Sequence, residues 1–443
     1  MIKKLSVFFL CLIMMFSFAA CNNNTDLEKK ISDLETRIAD LEAKNKTLKN
    51  DNKTLFDSLA ELEGKNDSLL ETIGELEETI EGLRDEIFTA DVFIYSYYDD
   101  FLTRFRTELT SMLLAAGISP TFYDGQSSQS HQTTQIETAI SRGADLLIVT
   151  VVDSVNAAAV NNIINKAKTA DIPVIFFNRE ITDTSLNSYA KTAYVGTNLG
   201  DDGRVQGQMI AEYLLKVENT TDGGTKSKFA DTDGSVYYVM LRGEVGNLHA
   251  QYRTMYAVTE AQRLVTAAGK DWKLKSSPLN TYTEYSGMLD WWTNEFGEPL
   301  TDDEKVALSR YVYGNWMPDQ AYDSCSIQFT AGNVADKSKL GIVISNNDWM
   351  AEGAIQALND VGYNDGSANF IPVFGIDATE QAIGAIATGK MAGTIAQSIE
   401  AHVATIIHLA LNVKAGKDIM SGTVIYKIDA TANKIRIPLV III

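Results

Sequence analysis

The chain has 443 residues, 45% of them hydrophobic, enough for two or three domains with sizeable cores. Its net charge of −20 and pI near 4.7 exclude nucleic-acid binding, which needs a basic face. Four histidines and three cysteines leave little material for a zinc site.

Lys3 and Lys4 precede VFFLCLIMMF, an apolar run too short to span a bilayer comfortably. Phe18-Ala19-Ala20-Cys21 follows. The arrangement resembles the bacterial lipoprotein signal, in which a Cys after small residues is lipidated and becomes the mature N-terminus. Phe18 stands where Leu is more usual, and an ordinary cleaved signal ending in an A-x-A pattern is the competing reading. The resemblance implies a signal peptide over residues 1–21 with Cys21 as the lipidation site. It also implies an extracytoplasmic chain, anchored to a bacterial membrane without spanning it. Cys11 leaves with the signal, so Cys325 is the one thiol of the mature fold and no intrachain disulfide can form.

Residues 22–89 read as a coiled-coil spacer. Leu27, Leu34, Leu41, Leu48, Leu55, Leu62, Leu69, Leu76 and Leu83 recur every seven residues. The alternate positions hold Ile, Leu and three Asn, namely Asn45, Asn52 and Asn66. Leu at d with Ile or Asn at a favours a parallel two-stranded coil, and a buried Asn is best satisfied by its copy on an identical helix. A homodimer is therefore expected, with a trimer as its competitor. At about 1.5 Å per residue the rod is roughly 90 Å long.

From Asp91 onward short apolar strands alternate with amphipathic helices, the pattern of βαβ units and parallel sheets. Four of the apolar runs end in a side chain able to grip a hydroxyl: Asp99, Asn178, Asn347 and Asp377. Ligands of open α/β sheets sit beyond the carboxyl ends of the strands, so these endings predict a polar cleft between two lobes. Each of Asp99 and Asp377 also has a structural reading, as the N-cap of the helix that follows. Phe101 and Trp316, taken alone, read as core.

The stretches IYSYYDDF, FFNRE, YVGTN with VQGQMIA, LRGEVGN, SNND with MAEGAIQAL, PVFGID and MAGT run in order along nearly the whole globular part. Together they resemble the periplasmic sugar-binding proteins, the type I periplasmic binding proteins, and within them the galactose/glucose-binding branch. The resemblance implies an α/β, two-lobed fold with a parallel sheet in each lobe and three hinge crossings. One lobe would comprise 91–196 plus 398–430, and the other 197–397 plus 431–443.

The same resemblance carries a site onto ten positions. Asp99 would take the 4-hydroxyl of a hexose, Asn178 its hydroxymethyl side, and Asn347 with Asp377 its 2- and 3-hydroxyls. Arg253 would reinforce that edge. Phe101 and Trp316 would cover the two faces, and Gln397 stands where the family has Asn. Asn247 stands for a His, and His249 for an Asp that contacts the anomeric hydroxyl, which leaves the anomeric end open to a different hexose, a glycoside or an acidic sugar. The family's calcium loop survives only in Asp231, Asp233 and Gly234. Phe229, Tyr237 and Gly341 stand at ligand positions, so no tight metal site is expected and DTDG reads as a turn. Residues 277–314 look like an insertion holding Trp291, Trp292 and a helix capped by Thr301, either a lid or partner surface or a segment packed on its own lobe.

The function implied is the monosaccharide-binding lipoprotein of an ABC sugar importer, with a permease as partner and a hexose captured by hinge closure. A sugar sensor reporting to a chemoreceptor or sensor kinase is the alternative. An enzyme is not expected, and no cofactor with it: no nucleophile elbow, P-loop or HExxH occurs, and the polar residues suit hydrogen bonding rather than proton transfer.

Overall fold

The computed structural model describes residues 24–216, 218–219, 226–283, 289, 293 and 298–443. The signal segment with Cys21, and Trp291 and Trp292, lie outside the described residues.

Two compact units divide at Glu86. The first is one helix, α1 (Asn24–Glu86), of 63 residues, about 95 Å at the standard rise. Leu34, Leu41, Leu48, Leu55, Leu62, Leu69 and Leu76 are each more than half exposed along it. A stripe of this length left open to water is the surface a second helix covers in a coiled coil. Among the described residues no helix is long and apolar enough to cross a membrane.

The second unit, Ile87–Ile443, is built on two main sheets. Apart from the short antiparallel pair Glu218–Asn219 and Lys226–Ser227, its strands in chain order are β1 (Thr89–Ile94), β2 (Ser119–Asp124), β3 (Leu146–Val149), β4 (Val174–Phe177), β5 (Thr192–Gly196), β6 (Ser235–Arg242), β7 (Lys273–Ser276), β8 (Tyr282–Thr283), β9 (Arg310–Tyr313), β10 (Ile342–Ser345), β11 (Val373–Phe374), β12 (Thr394–Gln397), β13 (Lys427–Ile428), β14 (Lys434–Arg436) and β15 (Leu439–Ile442). The helices that shape the site are α2 (Asp100–Ala115), α3 (Asp201–Lys216), α4 (Leu248–Ala267), α5 (Pro318–Gln328), α6 (Asp348–Asn359) and α7 (Ile399–Lys414).

The first sheet runs β13-β14-β5-β4-β3-β1-β2, and all its pairs but β13–β14 are parallel. The second runs β8-β9-β6-β10-β11, with β7 alongside the start of β6. Strands such as LLIV and VIFF are buried on both faces because each sheet is covered on both sides by helices. One apolar layer of the first lobe joins α2 and α7, through Phe105 and Ile406, to Ile94 and Ile148, while another sets Ile163 against Phe176. The second lobe repeats the arrangement around Met240 and Ile344 on one face and Leu241 and Val343 on the other.

The chain crosses between lobes after β5, between β12 and α7, and between β14 and β15. The last crossing corrects the expected lobe boundary at the C-terminus. KIRIPLVIII does not belong whole to the second lobe: Lys434–Arg436 pair with β5 of the first sheet, and only Leu439–Ile442 pair with β12. The physical anchor is ionic. Glu180 accepts from Lys434 at 2.7 Å and from Arg436 at 2.8 Å, and Arg436 also reaches Asp429 at 2.6 Å. Burial would raise the Glu180 carboxyl, but Arg436 and Lys434 outweigh it and hold it below its ordinary value.

The described part of the insertion packs on its own lobe. Leu289, Leu300 and Leu308 join Tyr252, Met255 and Tyr256 of α4 in one apolar cluster. Thr301 caps the helix Asp302–Leu308 with a complete capping box to Glu304. Tyr282 on β8 stacks on Tyr311, at 5.8 Å between ring centroids.

The DTDG segment forms a turn closed by Gly234 N–H donating to the Asp231 carbonyl. Asp233 accepts from Lys275 at 2.9 Å and from the Ser235 amide at 2.8 Å, and the Lys275 bond does most to bring its carboxyl down to about 2.

Candidate functional site

All ten positions named from the sequence line one cavity, about 460 Å3, between the lobes; Tyr95 and Arg179 complete its wall. Asp99, Phe101 and Asn178 come from the first lobe. Asn247, His249, Arg253, Trp316, Asn347 and Asp377 come from the second, and Gln397 sits at the end of β12 where the chain crosses.

On the first-lobe wall Asp99 does two jobs. Its Oδ1 accepts the Leu102 amide at 2.8 Å and so caps α2, while Oδ2 accepts the Tyr95 hydroxyl at 2.5 Å. The capping and cleft-lining readings of Asp99 are thus both true. Phe101 lies in the first turn of α2 with its ring edge-on to His402 at 6.4 Å, largely buried but still reaching the cavity. Asn178 ends β4 in the left-handed region at φ 62, which turns the chain so that its carbonyl accepts the Tyr194 hydroxyl at 2.8 Å. Arg179 lies over the Tyr95 ring at 3.7 Å and reaches across the cleft to Glu244 at 3.2 Å.

The second-lobe wall repeats the capping device. Asn247 caps α4 through the Ala250 amide at 3.1 Å, and Asn347 caps α6 through the Met350 amide at 3.0 Å. Three helix N-termini therefore ring the cavity, each closed by a polar side chain that also faces it. Asn347 Nδ2 further donates to the Trp316 carbonyl at 3.2 Å. Asn315 and Trp316 both adopt positive φ, 47 and 67, and this turn lays the indole over Gly243. A Cβ on Gly243 would stand 2.4 Å from the indole ring, so only glycine admits the ring there.

Asp377 does not cap the next helix; Thr379 does, through the Ala382 amide at 3.0 Å. Asp377 instead stands at φ 115, a conformation rarely held without a reason, with Gln397 Nε2 donating to its Oδ1 at 2.8 Å. Burial pushes its carboxyl up to about 7, against the pull of Arg253 and with a further push from Asp99.

Besides Tyr95 and Arg179 in the wall, two buried supporting residues are not evident from the sequence. Asp202, in the first turn of α3, is fully buried and takes Arg253 Nε and Nη2 on one oxygen at 3.0 and 2.8 Å. His249 Nδ1 stands 3.6 Å from the same oxygen. Burial works against the Asp202 charge, yet Arg253 and His249 hold its carboxyl well below the usual range. α3 and α4 approach closely enough for this because a Cβ on Gly203 would meet the Tyr252 carbonyl at 2.6 Å. Asn346 is the second: its carbonyl accepts Arg253 Nη1 at 2.7 Å, and its side-chain oxygen takes the Gly243 amide at 3.2 Å. The available signals were an acid beside a glycine at the start of an amphipathic helix, and an amide paired with Asn347 in SNND.

Chemically, the cavity offers two carboxylates, four amides, an imidazole, the guanidinium groups of Arg179 and Arg253, and the rings of Tyr95, Phe101 and Trp316. Among the described residues no cluster of three or more His, Cys, Asp or Glu could hold a metal ion. The arrangement suits a neutral guest bearing many hydroxyls and some C–H surface.

A family model described as a periplasmic binding protein domain matches residues 90–418. The chain is 29% identical over 358 residues to the D-galactose/methyl-galactoside binding periplasmic protein of Haemophilus influenzae, covering 80% of this chain and 90% of that protein. It is 25% identical to a putative rhizopine-binding protein of Rhizobium meliloti, over 68% of this chain and 76% of the relative. A solute-binding protein of Actinobacillus succinogenes, solved with D-allose, shares the fold at 18% identity and a TM-score of 0.56, over 80% of this chain and 96% of that one. Another from Clostridium phytofermentans, solved with β-D-glucose, superposes with a TM-score of 0.55 at 16% identity, over 80% and 93%. With the cleft, the two-lobed sheets and the family match in agreement, the chain belongs to the periplasmic binding protein domain family.

Proposed function

We propose that the protein is an extracytoplasmic solute-binding lipoprotein of an ABC sugar importer that captures a hexose-like sugar between its lobes. The observation that carries the reading is the convergence of ten sequence-separated residues on one cavity. Asp99 and Asp377 serve as hydroxyl acceptors, the amides of Asn178, Asn247, Asn347 and Gln397 as bifunctional partners, Arg253 as a fixed donor, and Phe101 and Trp316 as surfaces for the ring's C–H faces. The similarity to a D-galactose/methyl-galactoside binding protein supports a galactose- or glucose-like guest. Closure follows from differential contact, since a guest touching both walls stabilises the closed arrangement over the open one. Cys21 carries the lipid, α1 pairs with a second copy as a coiled coil, and the closed form is presented to a permease.

Calorimetry and thermal shift with galactose, glucose, methyl-galactoside and allose test the central claim. Saturable binding with a raised Tm is expected for at least one. No response to any monosaccharide refutes it. Labelling of wild type but not Cys21→Ser by radioactive palmitate tests the anchor.

A further inference from the structure

The cavity continues past its ten-residue chamber. A second, outer space of about 1,030 Å3, part of it open solvent, opens from it; Asp99, Trp316, Asn347 and Asp377 are among the walls the two share, with Tyr95, Phe101 and Arg179. The enclosed part of the outer space, about 370 Å3, lies within the range of small-molecule sites, about 300–1,000 Å3. Asn178, Asn247, His249, Arg253 and Gln397 touch only the inner chamber. Tyr98, Ser127, Gln320 and Trp349 touch only the outer one.

The outer lining has the same chemical character as the inner. Tyr98, from the first lobe, stands 78% exposed, and Trp349, from the second, follows directly on the Asn347 cap and Asp348 in the first turn of α6. An aromatic ring left this open to water beside a polar cleft marks a contact surface. Ser127 and the amide of Gln320 supply hydroxyl-scale partners. Of the charged groups lining this space, Arg179 and Glu244 pair with each other at 3.2 Å across the cleft, which leaves the Asp99 and Asp377 acids to accept hydroxyls of a neutral polyol.

We propose that the site takes a neutral saccharide of two units, one ring in the inner chamber and the second in the outer chamber against Tyr98 and Trp349. The linkage crosses the collar formed by Asp99, Trp316, Asn347 and Asp377. This rests on the sugar-binding reading above. It adds that a disaccharide touches more of both walls than a single ring and so binds more tightly.

The test is calorimetric titration of the mature full chain with glucose, galactose, maltose, cellobiose, lactose and melibiose, in wild type, Tyr98→Ala and Trp349→Ala. At least one disaccharide binds about tenfold or more tightly than both single hexoses. Each substitution weakens that disaccharide about fivefold or more, changes hexose affinity less than about twofold, and leaves the apo Tm near wild type. Monosaccharide binding with every disaccharide weaker overturns the two-unit site and leaves the hexose reading standing. Disaccharide affinity untouched by both substitutions also overturns it. Silence from sugars of either length overturns both readings.

Discussion

Arg253 grips a single oxygen of Asp202 with two of its nitrogens, at 3.0 and 2.8 Å, while its third reaches the Asn346 carbonyl at 2.7 Å. Both side chains are buried, so the pair fixes the guanidinium beneath the cavity before any guest arrives. Removing one member of such a buried pair strands the other charge, at a cost of about 3–5 kcal/mol. Arg253→Ala is expected to lower the apo Tm sharply by scanning calorimetry. Arg253→Lys keeps the charge but loses the forked geometry, and falls in between.

Asp377 sets a pH dependence. Its folded carboxyl is raised to about 7 from an ordinary 3.8, chiefly by burial, so the folded state holds its proton more tightly than the unfolded chain does. Stability from this group is therefore greatest at low pH and declines as pH rises from about 4 to about 7, levelling beyond. Sugar affinity runs the other way where the carboxylate is the acceptor. The apo Tm of Asp377→Asn, measured from pH 4.5 to 8, should lack this downward component; an unchanged profile would refute the assignment.

Asp99 separates structure from recognition. Asp99→Asn keeps a side-chain oxygen for the Leu102 amide, while Asp99→Ala loses the cap at about 1 kcal/mol. Both lose the charged acceptor in the cavity, worth roughly 1.5–3 kcal/mol. Calorimetry should find sugar affinity reduced at least about tenfold in both variants, with Tm lowered appreciably only in the alanine form.

His249→Asp restores the acid that the family resemblance places at the anomeric end, but it does so beside Asp202. His249 Nδ1 is 3.6 Å from Asp202 Oδ2, so the substitution sets two carboxylates together and one of them must stay protonated. The variant is expected to lose Tm relative to wild type more at pH 8 than at pH 5. Its preference should move toward free galactose or glucose over methyl glycosides. Unchanged selectivity would remove His249 from the anomeric end.

Gly243→Ala drives a methyl into the indole of Trp316. Tryptophan fluorescence of the apo protein should shift, and sugar affinity should fall by about tenfold or more, if the ring forms one wall of the site.

Much of this was legible because periodicity and strand endings are local signals. β1, β4, β10 and β11 are short apolar runs, and the residues that close them, Asp99, Asn178, Asn347 and Asp377, reach the cavity. What stayed hidden depends on distant contacts. Asp202 reads as an ordinary first-turn acid, and only the close packing of α3 on α4 turns it into the partner of Arg253. The last strands misled for the same reason: KIRIPLVIII looks like one segment, yet Glu180, far upstream, pulls Lys434 and Arg436 into the other sheet. The heptads of α1 are a local signal of the same kind, whereas the outer chamber depends on how the fold brings Tyr98 and Trp349 to line one space.

The ring of three capped helix N-termini has an evolutionary corollary. Asp, Asn, Ser and Thr are interchangeable as helix terminators yet differ in the hydroxyls they accept or offer. At positions 99, 247 and 347 a single codon change can therefore retune which guest is admitted while the scaffold stays intact. A cleft assembled this way can drift from one solute to another without passing through an unfolded ancestor.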